Sequence, residues 1–162
     1  MQKELPVRKH IRLKGYDYSS AGYYFITICT KKRANLFGEI IRGEMCLNNF
    51  GIIANTELLN IPSRYTNVEI DNYIIMPNHI HLIVVIKPTE RINPFPTKAD
   101  ISNIIGNYKA GVTRIVGNAF MRSELWQSRF HDHIIRSKSK YDYIYQYIDE
   151  NPAKWEEDCF YK

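Results

Sequence analysis

Residues 76–86 read MPNHIHLIVVI, and the fold of the chain turns on how this stretch is read. Pro77 and Asn78 are turn formers, and His79 to Ile86 is a β-branched, apolar run of strand length. Successive side chains on a strand point to opposite faces, so His79 and His81 project together while Ile80 points the other way, into a core.

Working outward, Val68 to Met76 is also strand-like and pairs with this run as a hairpin across Pro77-Asn78. Upstream, YYFITICT (23–30) is a β-branched and aromatic strand closed by the charged run 31–33. A further short strand or hairpin falls within 38–47, with Gly43 at its turn. Between 49 and 62 the apolar residues Phe50, Ile53, Leu58, Leu59 and Ile61 lean to helical spacing, with Pro62 as the stop. Residues 98–116 carry Ile101, Ile104, Ile105, Tyr108, Val112 and Ile115 at intervals of three and four, the clearest amphipathic helix in the chain. RFHDHIIR (129–136) reads as a strand, and 139–151 as a helix capped by Ser139 and Asp142 and ended at Asn151 by Pro152. The order strand, helix, strand, strand, helix, strand, helix is an α+β, ferredoxin-like antiparallel sheet with helices on one face, plus a C-terminal helix. We expect one domain over 1–162, preceded by a basic N-terminal arm of about 20 residues.

The net charge of +5, from 22 Lys and Arg against 17 Asp and Glu, favours an anionic partner. Cys29, Cys46 and Cys159 form no CxxC pair, which argues against a disulfide framework or zinc ribbon and suits a reducing cytoplasm. The longest apolar stretch is too short to span a bilayer, and no apolar leader is present, so no membrane partner is expected.

Two imidazoles side by side on a rigid strand make half of a metal site. An arbitrary pair of this spacing is more often structural, so the assignment needs support. It comes from Tyr147 and Asn151, which are four apart on a helix and so share a face. Packed over His79 and His81, Asn151 would complete the coordination of Mg2+ or Mn2+ while the Tyr147 phenol attacks a phosphodiester. The chain has 12 tyrosines, and burial explains most aromatics, so it is the YxxxN pattern before a proline that singles out Tyr147. Lys109 and Arg136 are candidate phosphate contacts. His131 and His133 form a second, weaker histidine pair.

The ordered set IRLKGYDYSSAGYYFITICT, FGEI, MPNHIHLIVVI, IIGNYKAGVTR, LWQSRFHDHIIR and YIDENPAKWEED spans nearly the whole chain and resembles the REP-associated tyrosine transposases. These are relatives of single-tyrosine insertion-sequence transposases, within the histidine-hydrophobic-histidine endonucleases. The resemblance implies His79 and His81 as metal ligands, Tyr147 as nucleophile, and Asn151 as the third ligand. It also implies single-stranded or hairpin DNA as partner, cut through a 5′-phosphotyrosine link that leaves a free 3′-hydroxyl. Relatives are often homodimers, although some work as monomers.

Two other readings of the same residues stay open: a non-catalytic module that stacks on single-stranded nucleic acid, and a metal-dependent nuclease that hydrolyses with water.

Overall fold

The central strands β1 (Gly22–Cys29) and β5 (His79–Ile86) run antiparallel, with Gly22 opposite Ile86 and Cys29 opposite His79. In the computed structural model, which describes residues 13–88, 99–117 and 125–161, they form the middle of a four-stranded sheet. Its order is β4 (Val68–Ile75), β5, β1, β6 (His131–Ile135), with every neighbouring pair antiparallel. This is the ferredoxin-like order expected from the sequence.

Every residue of β5 is buried, because both faces of the sheet are covered where this strand runs. Ile80, Leu82, Val84 and Ile86 meet Ile26 and Ile28 of β1 beneath α1 (Asn49–Leu59) and α3 (Ile101–Val116). On the other face, Ile83, Val85 and Ile135 pack with Ile144 and Ile148 of α4 (Lys138–Glu150) in a cluster of their own. Thus α1 and α3 share one face and the tyrosine-bearing α4 lies on the other, over β4 and β5. A bulge in β4 between Ile70 and Asn72 re-aims two side chains toward α4. Asp71 accepts a hydrogen bond from Tyr141 at 2.5 Å, and Asn72 donates to Asp149 at 2.9 Å.

Four local expectations are refined. The helix expected over 49–62 breaks at Asn60, and Pro62 opens a short second helix, α2 (Ile61–Arg64), where its missing N–H costs nothing. The cap of α4 is Ser137, whose hydroxyl accepts from the Lys140 amide. Ser139 lies inside the helix, and Asp142 pairs with Lys138 instead. The short strands β2 (Gly38–Ile41) and β3 (Glu44–Leu47) form a separate two-stranded ribbon, turned through Arg42 and Gly43 at positive φ. Finally, α3 is capped by Asp100, and the expected start at Lys98 lies outside the described residues.

The first 12 residues of the expected basic arm also lie outside the described residues. Its last part is packed: Tyr18 is buried, and its ring sits 5.0 Å from that of Tyr16 and 6.2 Å from that of Tyr24.

Candidate active site

His79 and His81 stand on the α4 face of β5, their ring centroids 4.4 Å apart, and both are almost wholly buried. Each is held by a partner that the strand geometry supplies. Thr27 lies opposite His81 in the β1–β5 register, and its hydroxyl is 2.8 Å from His81 Nδ1. Asn78, at the turn before the strand, accepts from His79 Nδ1 at 2.9 Å. That bond fixes the proton on Nδ1 and leaves the lone pair on Nε2, an arrangement typical of metal-ligating histidines. Asn78 is itself pinned, donating to Phe160 O at 2.9 Å and Arg33 O at 3.4 Å.

From α4, Tyr147 brings its hydroxyl to 3.2 Å from His81 Nε2. One turn on, Asn151 sits buried at the helix C-cap. The chain then passes through a 3-10 turn at Trp155–Glu157 and folds back, delivering Asp158 to the same place. Asp158 Oδ2 accepts from Asn151 Nδ2 at 2.9 Å and from the Tyr147 hydroxyl at 3.4 Å, while its Oδ1 accepts from the Phe160 amide at 2.7 Å. Phe160 covers both imidazoles, its centroid 4.5 Å from that of His79 and 6.0 Å from that of His81. Because Asn151 spends its NH2 on Asp158, its Oδ1 is turned free. That oxygen and His79 Nε2 are buried with no hydrogen-bond partner among the described residues. Two such orphans in one site are costly, about 1–3 kcal/mol each, unless something else satisfies them.

The electrostatics agree with a cation-binding role. Burial, and then the nearby Arg33, push the pKa of His79 down to about 3. Burial, then His79, hold His81 well below its ordinary range against the opposing pull of Asp158. Both imidazoles are therefore neutral at neutral pH, the form that binds metals. The Tyr147 phenol is raised well above its ordinary value by burial and then by the charge of Asp158. One ligand atom from each of His79, His81 and Asp158 lies within 4.8 Å of the others. Imidazole nitrogens, a carboxylate and the free amide oxygen of Asn151 are a donor set suited to a divalent ion such as Mg2+, Mn2+ or Zn2+.

Residues 18–151 match the family model described as "Transposase IS200 like". The chain belongs to the IS200-like transposase family. An uncharacterised protein of Haemophilus influenzae is 40% identical over 167 residues, an alignment that takes in 95% of this chain and 93% of the relative. The solved structure of a REP-associated tyrosine transposase bound to a REP hairpin superposes with a TM-score of 0.66 at 21% identity, covering 89% of this chain and 73% of that one. The family is one of DNA-cleaving enzymes, and the ferredoxin-like fold with its added C-terminal helix is the one expected.

Of the residues singled out from the sequence, His79, His81, Tyr147 and Asn151 come together in this transposase, although they arise from two elements on facing layers. Lys109 does not join them. Its amine donates to Gln127 O at 2.7 Å and to Arg129 O at 3.4 Å, so two of its three donors tie down the chain before β6. Burial lowers its pKa to about 8. Arg136 is exposed just after β6. Sequence reasoning missed Asp158, Asn78, Thr27 and Phe160. Only Thr27 had a signal to find it by, since pairing 23–30 antiparallel with 79–86 would have set it opposite a histidine.

Proposed function

We propose that the chain cuts and rejoins single-stranded DNA through a covalent 5′-phosphotyrosine on Tyr147, with hairpin or REP-like DNA as substrate. The observation that carries this reading is the Tyr147 hydroxyl 3.2 Å from His81 Nε2, beside two buried, unpartnered ligand atoms. His79, His81 and Asn151, joined by Asp158, would hold a divalent ion. Such an ion, Mg2+ or Mn2+, supplies Lewis-acid polarisation of the phosphodiester and a positive field at the phenol. Support for the DNA class comes from the fold neighbour solved with a REP hairpin.

The chain's own residues do the rest. Tyr147 is held beside His81 by the packing of α4. Its burial beside Asp158 keeps the phenol protonated until positive charge is present. As the phenol oxygen bonds to phosphorus, its proton passes to water. The bond to the 3′-oxygen breaks, and that oxygen leaves as a 3′-hydroxyl after taking a proton from water. Rejoining is the reverse, with the phosphotyrosine bond conserving the energy.

The test is incubation of end-labelled single-stranded hairpin DNA from the flank of the protein's own gene with Mn2+ or EDTA, read on a denaturing gel. A metal-dependent adduct lost in Tyr147→Phe supports the reading. Cleavage without adduct indicates water as nucleophile, and tight binding with neither indicates a binding module; either result rejects it.

A further inference from the structure

A cavity of about 850 Å3 lies away from Tyr147, beside α3 on the side of the sheet opposite α4. It is walled by the end of α2, by one side of α3 and by Trp126, and it shares no lining residue with the catalytic pocket. Three cations line it, Arg64, Lys109 and Arg114. Among the described residues no Asp or Glu does, although the chain carries 17.

Two of the three cations are held from behind. Glu57 of α1 is buried and accepts from Arg64 Nη2 at 2.7 Å, which fixes the guanidinium and leaves the rest of its N–H fork at the cavity. This contact requires a glycine at 111, because a Cβ there would stand 2.2 Å from Glu57 Oε2. For stability alone the ion pair is a poor device, since apolar side chains of similar volume usually do as well. Lys109 gives two donors to Gln127 O and Arg129 O and keeps one. The wall beside it is pinned as well, because the Trp126 indole N–H donates to Lys109 O and Thr113 Oγ1, each at 3.2 Å. Arg114 lies three residues beyond Gly111, on the same side of α3; it is exposed and has no ion pair or hydrogen bond among the described residues.

We infer that this cavity is a second anion site, which binds a phosphate group through Arg64, Lys109 and Arg114. Guanidinium forks take phosphate oxygens in pairs, and an ammonium adds a point charge. With Glu57 balancing Arg64, the other two cations leave a charge of about +2, against the roughly −1.5 to −2 of a phosphate monoester. Two sources offer the group, a free nucleotide and the backbone of bound DNA. The site is independent of the chemistry proposed at Tyr147.

The test uses Tyr147→Phe protein in EDTA, so that neither cleavage nor a metal-held phosphate in the catalytic pocket enters the reading. Two probes separate the sources. One is adenosine 5′-diphosphate, titrated by isothermal calorimetry; the other is a fluorescein-labelled DNA hairpin with a fully paired stem and no single-stranded flank, read by anisotropy. Arg114→Gln removes a cation without stranding a partner, and Arg64→Lys keeps a charge beside Glu57 while losing the fork. Each should weaken whichever probe binds, Arg114→Gln by about tenfold. For the hairpin, each lost phosphate contact should also lower the slope of log K against log salt by about 0.9. Lys138→Gln, an exposed cation of α4 on the other side of the sheet, should bind as the parent does. Weakened diphosphate binding in both cavity variants assigns the site to a free nucleotide. Weakened hairpin binding, with no heat from the diphosphate, assigns it to the DNA backbone, and weakening of both probes assigns it to either source. Cavity variants that hold both probes within twofold of the parent overturn the inference, as does a parent that binds neither. An equal loss in Lys138→Gln overturns it too, because it reports net charge alone.

Discussion

The neutral state of His79 carries a measurable consequence for stability. Its pKa falls from the ordinary 6.5 to about 3 on folding, chiefly by burial. Between those values the unfolded chain binds a proton that the folded chain refuses. The unfolded state therefore holds more protons, and unfolding free energy falls as pH drops from about 6.5 toward 3. Each unit is worth about 1.4 kcal/mol, so the whole window amounts to about 5 kcal/mol from this residue. His81 is depressed in the same direction and adds to the slope. The perturbation is His79→Gln, which keeps a polar side chain but cannot titrate. Urea unfolding in EDTA, at steps from pH 4 to pH 6, gives the stability of each protein. Other acid-sensitive groups are common to both, so the difference between them isolates position 79. The advantage of wild type over the variant should shrink by about 2–3 kcal/mol on going from pH 6 to pH 4. Parallel curves would refute the reasoning, because they would mean that His79 is protonated as readily in the folded protein as in the unfolded one.

Other outcomes follow from the same geometry. Ile148→Ala removes a side chain that is 0% exposed from the five-residue cluster under α4 and should cost about 2–4 kcal/mol in urea unfolding, with a further loss of cleavage as Tyr147 loosens. Asn78→Ala frees the His79 ring and should weaken Mn2+ binding, followed by electron paramagnetic resonance, by about 10- to 100-fold while leaving the far-UV circular dichroism unchanged. Asp158→Asn removes the negative charge that helps to raise the Tyr147 phenol, so the metal-free variant should ionise that phenol at lower pH, read as tyrosinate absorbance against a Tyr147→Phe control.

Much of this arrangement is legible in the sequence, because it follows from local period. HIHLIVVI can only be a strand covered on both faces, and that alone sends His79 and His81 to one side. The i, i+4 relation of Tyr147 and Asn151 needs only a helix, and Pro152 ends it where expected. What resisted reading is set by long-range geometry. Asp158 lies 11 residues beyond Tyr147, past the end of the helix, and only the fold-back through Trp155–Glu157 brings it to Asn151. Lys109 falls on the polar face of its helix by period, but the chain before β6 passes over it and takes up its amine. Ser137 and Ser139 are both good caps two residues apart, and the strand end at Ile135 decides for Ser137.

The central claim is that Tyr147 itself becomes joined to DNA. The most direct measurement is proteolysis of the protein after reaction with hairpin DNA and Mn2+, nuclease trimming of the attached strand, and mass spectrometry of the peptide spanning residues 141–154. The account predicts that this peptide carries a nucleotide linked through its 5′-phosphate to Tyr147, and that the released DNA ends in a 3′-hydroxyl. Attachment at any other tyrosine, or cleaved DNA with an unmodified Tyr147 peptide, would contradict it.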